Sequence, residues 1–327
     1  MLNYIVRRLG YMLITLVIVA VLGYIIIELP PGSYVDSEVD RLRAQGGNLT
    51  QDQVQALYRR YGLDKPETVR FWLWISHFVV GDFGEAFAYN LPVSTLIWSR
   101  LGLTLVFSLL SLIFSWVAAI AMGVYSATHR YTIPDYLITV LQFIGLAVPN
   151  FLLALVLMVF AQNVFHMQVG GLFSSAFQNA PFSFAKFLDL LNHMWIPIIV
   201  IGASGTAWLS RVMRANLLDV LNMQYVQTAR AKGLKESVVT WKHAFRNAIH
   251  PLIMVLGSSL PGIISGETIV ALVLSLPTTG PLYFNALIQK DMYLAGAFLV
   301  FLAIALLIGN LGADILLAWV DPRIRYE

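Results

Sequence analysis

From Tyr136 to Ala185 the chain runs without a single Asp, Glu, Lys or Arg. A helix rising about 1.5 Å per residue needs roughly 20 apolar residues to cross a hydrocarbon core about 30 Å thick, so this stretch has room for a complete span. Uncharged stretches of similar character run from Leu9 to Ile27, Leu101 to His129, Leu190 to Ser210, Asn247 to Gly266, Thr268 to Gln289 and Tyr293 to Ala313. Only 12% of the residues are charged, about half the share of a soluble globular protein. An ordinary soluble enzyme is excluded, and the pattern predicts an all-α integral membrane protein with six transmembrane helices. The first lies within residues 1–29 and the others near 101–125, 136–160, 190–210, 251–276 and 295–318. The first stretch has the basic start and apolar centre of a secretory signal, but Leu29, Pro30, Pro31 and Gly32 follow it instead of a small-residue cleavage site. It reads as a retained span.

Orientation follows from Lys and Arg in short loops. With six spans both termini share a side with the loop at Arg130 and the segment from Arg211 to Arg246, and together these hold twelve basic residues against two, Lys186 and Lys290, in the short loops opposite. Both termini are therefore expected in the cytoplasm. Residues 30–100 are too long to follow that rule and form an extracytoplasmic insertion after the first helix. There Thr50 and Gln53 can form a capping box, Val54, Leu57, Tyr58 and Tyr61 make an apolar stripe at helical spacing, and Gly62 can stop the helix. The chain reads as residues 1–29, an outer segment 30–100 and a transmembrane domain 101–320 that contains a cytoplasmic segment 211–250.

Several chemistries are missing. With no cysteine there is no thiolate nucleophile and no Cys-built metal site. No G-x-x-x-x-G-K-[ST] loop is present to cradle a nucleoside triphosphate, and the histidines at 77, 129, 166, 193, 243 and 250 fall in no metal-ligand spacing. The sequence predicts no catalytic residue, no metal site and no cofactor of its own.

The segment from Arg211 to Arg246 carries seven basic residues against Asp219 and Glu236. Its centre reads Tyr225, Val226, Gln227, Thr228, Ala229, Arg230, Ala231, Lys232, Gly233, Leu234. Asn222 can cap a short helix, Ala229 and Ala231 leave room for a close neighbour, and Gly233 suits a left-handed residue at the helix end. Such a helix fits a partner's groove; a solvated, positively charged loop that only fixes orientation accounts for the same residues.

Tyr225 to Leu234, followed by Trp241, Lys242, His243, Ala244, Phe245, Arg246, Asn247, Ala248, Ile249, His250 and Pro251, resembles the cytoplasmic EAA-type loop of binding-protein-dependent ABC importer permeases of the dipeptide and oligopeptide subgroup. Gln227, Thr228 and Ala229 stand where the general motif has Glu-Ala-Ala, with Gly233 at its glycine. Arg59 to Pro66, Gly81 to Gly84, Ser265 to Val270 and Asp321 to Tyr326 also match the subgroup, whereas Pro277, Thr278, Thr279 and Gly280 replace its common Pro-Gly-Leu-Gly. The resemblance implies a type I ABC importer permease. Its partners would be a second permease subunit, two cytoplasmic ATPase subunits that bind ATP and Mg, and an extracytoplasmic solute-binding protein, in a bacterial or archaeal cell membrane. It makes Tyr225, Gln227, Thr228, Ala229, Arg230, Ala231, Lys232, Gly233 and Leu234 the ATPase-coupling residues. Cargo in this subgroup covers peptides, glutathione, nickel and oligosaccharides.

Glu267 stands inside the fifth span, where charge is costly and faces protein or a water-filled cavity, and is a candidate for the translocation pathway. Asp314 reads as an inner-boundary residue beside water, and Pro149, Pro197 and Pro261 as kinks. A secondary transporter with Glu267 as its ion site is the competing class, though the inverted repeats of such carriers are not visible here; a membrane scaffold is the other.

Overall fold

The computed structural model describes residues 2–47, 49–167, 170–256 and 268–320, without the side chains of 2–9, 313 and 316–320. The helices are α1 (Leu2–Glu28), α2 (Tyr34–Ala44), α3 (Gln51–Arg60), α4 (Glu67–Val79), α5 (Val93–Thr128), α6 (Ile133–Ala147), α7 (Asn150–Phe165), α8 (Phe184–Leu221), α9 (Gln224–Ala231), α10 (Glu236–Val238), α11 (Phe245–Ala248), α12 (residues 250–256), α13 (Thr268–Val273), α14 (Thr279–Ile288) and α15 (Met292–Val320). A π-turn over Val239–Ala244 joins α10 to α11, and a two-residue hairpin pairs β1 (Glu85–Ala86) with β2 (Leu91–Pro92). The described residues divide into two compact units, one of 2–102 with Thr279–Ala305, the other of Leu103–Thr278 with Leu306–Val320.

The first unit is built on aromatic packing. Thr50 caps α3 and Gln53 returns the bond to the Thr50 N–H, forming the reciprocal capping box. This sets Val54, Leu57, Tyr58 and Tyr61 against Tyr34, Val35, Val39 and Phe87. Tyr34 meets Tyr61 edge-on with ring centres 5.2 Å apart, a preferred geometry for aromatic pairs. The Tyr58 hydroxyl donates to Asp36, which holds that carboxyl below its ordinary range. Arg70 grips Glu28 at the end of α1 through two bonds of 3.0 and 3.1 Å. Asp291, fully buried ahead of α15, accepts from the backbone N–H of Phe87 at 2.6 Å and of Leu294 at 3.1 Å.

The second unit is organised around α8. Its contacts with α5 and α6 depend on small residues, since a Cβ on Gly202 would come within 2.8 Å of Phe114 and one on Gly123 within 2.8 Å of the Ser210 carbonyl. Close approach of backbones and bonds between polar side chains are how helices associate in lipid. Ser115 donates to the Gly202 carbonyl at 2.6 Å, and Gln142 to Ser210 at 2.7 Å. At one end of this unit Asp135 is buried and accepts from the Tyr131 N–H at 3.0 Å and the Arg214 guanidinium at 2.9 Å.

Among the described residues, four helices are long and apolar enough to cross a membrane: the part of α1 from Gly10 to Glu28, α5, α8, and α15 from Met292 to Gly312. The expected third span, over 136–160 with a kink at Pro149, is built of α6 and α7, which meet at 111°. The cause is local: Pro149 has no N–H to continue the helix, and it forces Val148 into the extended region, with ψ at 122°. Helix α5, which holds the expected second span, begins at Val93, and α8, which holds the fourth, extends through Leu221. Residues 257–267 of the fifth expected span, with Pro261 and Glu267, lie outside the described residues, as does the Asp321 to Tyr326 motif. Pro197 sits inside α8 without ending it, and Asp314 is half-buried near the end of α15.

Candidate coupling site

At the end of α8 the chain turns at Asn222 and starts α9 from an extended Met223. Asn222 is not the cap that its residue type suggests, for its amide donates back to the Leu218 carbonyl and α9 starts with no side-chain cap bond. What holds α9 is packing and three tethers. Val226 and Ala229, three apart on one face, are buried in a cluster with Leu217, Val220, Leu221, Val239, Ala244 and Ala248. Ala229 therefore faces this chain's own core, and of the two alanines only Ala231 is exposed.

Gln227 and Arg230 both donate to the Leu221 carbonyl, at 3.1 and 3.4 Å, taking up an acceptor that the last turn of α8 leaves open. Arg230 also forms a two-bond ion pair with Glu236, at 2.8 and 3.3 Å, across the turn to α10. On the other side the Tyr225 hydroxyl donates to the His243 carbonyl at 3.4 Å and accepts from the Asn247 amide at 2.7 Å. The stop is a complete Schellman motif: the Gly233 N–H reaches the Arg230 carbonyl, the Leu234 N–H reaches the Ala229 carbonyl, and Gly233 has φ of +78°. Thr228 bonds the Gln224 carbonyl within the helix. Tyr225, Gln227, Thr228, Ala231, Lys232, Gly233 and Leu234 all remain exposed.

The nine residues singled out in the sequence thus form one helix and its stop, fixed on two sides and open on a third. His243, Asn247 and Glu236 complete the anchorage and escape sequence reading, because each acts across a turn. Trp241 to Asn247 is a conspicuous motif, but its π-turn leaves no mark in the periodicity; extra-residue turns of this kind are frequent at functional sites. Among the described residues no three His, Asp or Glu side chains converge to hold a metal ion.

The family model described as binding-protein-dependent transport system inner membrane component matches residues 119–326, and the model of that family's N-terminal part matches residues 1–109. The chain belongs to this family. An oligopeptide transport system permease protein of Bacillus subtilis is 37% identical over 325 residues, covering 99% of both chains. A glutathione transport system permease protein of Salmonella paratyphi A is 33% identical over 328 residues and the whole of both chains. A dipeptide transport system permease protein of Lactococcus lactis is 30% identical over 329 residues, 99% of this chain and 100% of the relative. The protein is a multi-pass membrane permease of a binding-protein-dependent ABC importer.

Proposed function

We propose that Tyr225 to Leu234 is the element through which ATPase subunits drive this permease. The observation that carries this reading is the anchorage of α9. A helix transmits rigid-body motion when its ends are fixed, and here Gln227 and Arg230 fix it to the end of α8 while Tyr225 fixes it to the segment after the π-turn. The exposed face then docks in a cytoplasmic ATPase, and closing of two such subunits on ATP and Mg swings the spans between inward-open and outward-open states. The pathway is shared with a second permease subunit, residues 30–100 face the delivering solute-binding protein, and both termini lie in the cytoplasm of a bacterial or archaeal cell.

The cargo is a peptide or a similar small solute, a reading supported by relatives whose names specify oligopeptide, dipeptide and glutathione transport. Uptake into proteoliposomes containing the complete importer, with labelled oligopeptide, glutathione, nickel and oligosaccharide compared side by side, tests it. ATP-dependent accumulation of the peptide is expected, and accumulation of nickel or sugar alone would reassign the cargo. Cysteines introduced at Thr228 and on the ATPase surface should cross-link, and failure at every exposed α9 position would return the segment to a loop that only fixes orientation.

A further inference from the structure

Beyond the coupling helix, the second unit carries two adjoining surface pockets of different polarity. The first, about 540 Å³, is lined by Val117, Ile120, Ala121, Val124, Tyr125 and Thr128 of α5 together with Trp241. These α5 positions recur every three or four residues and so lie along one face, extending about 16 Å up the helix. The second, about 600 Å³, shares Val124, Thr128 and Trp241 and adds His129, Arg130, Arg230 and Glu236. Arg230 and Glu236 neutralise one another. Arg130 is left as the net charge of the mouth, exposed and without an ion pair among the described residues. His129 is stacked on Tyr125 at 4.4 Å with its Nδ1 beside the Thr128 hydroxyl at 3.0 Å, so the ring is set at the boundary between groove and mouth. Trp241 is 53% exposed and occupies that boundary from the π-turn.

An apolar groove that opens on a cationic mouth, with Trp and Tyr at the junction, has the polarity profile of a membrane interface. We propose that it holds one anionic phospholipid, its acyl chain along α5 and its phosphate at Arg130. The groove runs too far up α5 for a soluble subunit to fill, and a basic mouth beside spans is the pattern that binds anionic headgroups. The orientation rests on the reading given above, in which this end faces the cytoplasm. The lipid would wedge between the end of α5 and the α10 to π-turn segment.

The test uses the complete importer, delipidated in detergent and examined by native mass spectrometry with dioleoyl phosphatidylglycerol or dioleoyl phosphatidylcholine added. One phosphatidylglycerol should be retained in preference to phosphatidylcholine by about fivefold, the ratio that corresponds to about 1 kcal/mol for one basic residue at a lipid surface. Arg130→Gln should remove the preference, and Trp241→Ala should weaken retention of both lipids. Equal retention by the wild type, an unchanged preference in Arg130→Gln, displacement by inorganic phosphate alone, or no retention because a partner subunit fills the groove would each overturn the proposal. Since the chain has no cysteine, His129→Cys labelled with a membrane-impermeant maleimide reports the side separately. Labelling from outside would refute the orientation without affecting the lipid result in detergent.

Discussion

At Gly233 the backbone takes φ of +78°, and a Cβ placed there would meet nothing within 4 Å. Any substitution at this position therefore strains the backbone without a clash inside this chain, at about 1–2 kcal/mol for an ordinary L-residue and more for a β-branched one. Asn, which tolerates the left-handed region, should retain most transport, Ala should lose part of it, and Val should abolish it, all at unchanged membrane levels. Uptake and cargo-stimulated ATP hydrolysis measure the series, and a Val variant at wild-type rate would remove the coupling role. Gly233 and the Thr50 to Gln53 box were legible because each is a local rule written in consecutive residues. The Tyr225 tether was not, since its partners, His243 and Asn247, come close only after the chain has reversed. Asp291 offers a second residue-scale test. Burial pushes its carboxyl up from 3.8 to about 6, with the Leu294 and Phe87 N–H groups pulling the other way. The folded state then holds its proton more tightly than the unfolded one, so this group's contribution is full below pH 4 and is lost as pH rises through 6, about 3 kcal/mol in all. In thermal melts of detergent-solubilised protein, Asp291→Asn should gain on the wild type between pH 5 and pH 8; a difference that stays constant with pH would contradict the shift.

Between elements, the ion pair of Asp135 and Arg214 joins the start of α6 to the C-terminal half of α8. The carboxylate is buried, so removing Arg214 leaves it with the Tyr131 N–H but no countercharge, a loss of about 3 kcal/mol. Arg214→Met should lower the melting temperature strongly, and Asp135→Asn added to it should recover most of the loss; a double variant as unstable as the single one would show that the pair does not act as a unit. The spans themselves were legible because lipid forces a long uncharged run into helix. Their limits were not: charge marks where the apolar stretch ends, while α5 and α8 continue as helix past it. The break between α6 and α7 has its signal in Pro149, although a proline in a span can be absorbed as a kink, as Pro197 is in α8, and the sequence alone does not separate the two outcomes.

For the molecule as a whole, the twelve basic residues against two in the short loops and termini predict that tags at Asn3 and after Glu327 are shielded from protease added outside the cell, and that a tag near Gln45 is cut. Digestion at either terminus would overturn the six-span arrangement. The absent phosphate loop predicts that the purified chain hydrolyses no ATP until its ATPase partners are added, and sustained hydrolysis by the chain alone would refute this. Membership of the family was legible in motifs scattered from Arg59 to Tyr326, because each is a short run of residues in a fixed order. Cargo was not, for relatives of this length and family carry names that specify oligopeptide, glutathione and dipeptide transport alike.

The anchorage of α9 has a mechanical consequence. If α9 is driven as proposed, its fastening to the Leu221 carbonyl through Gln227 and Arg230 makes the part of α8 from Pro197 to Leu221, about 36 Å long, the arm that it would move. Pro197 withholds one backbone bond and makes that point the natural fulcrum. A swing of about 5° there displaces Leu221 by about 3 Å on an arm of that length. On that reading a small stroke at α9 would be turned, by leverage alone, into a tilt of the whole C-terminal half of this helix, and stiffening the fulcrum would shorten the stroke without touching either end.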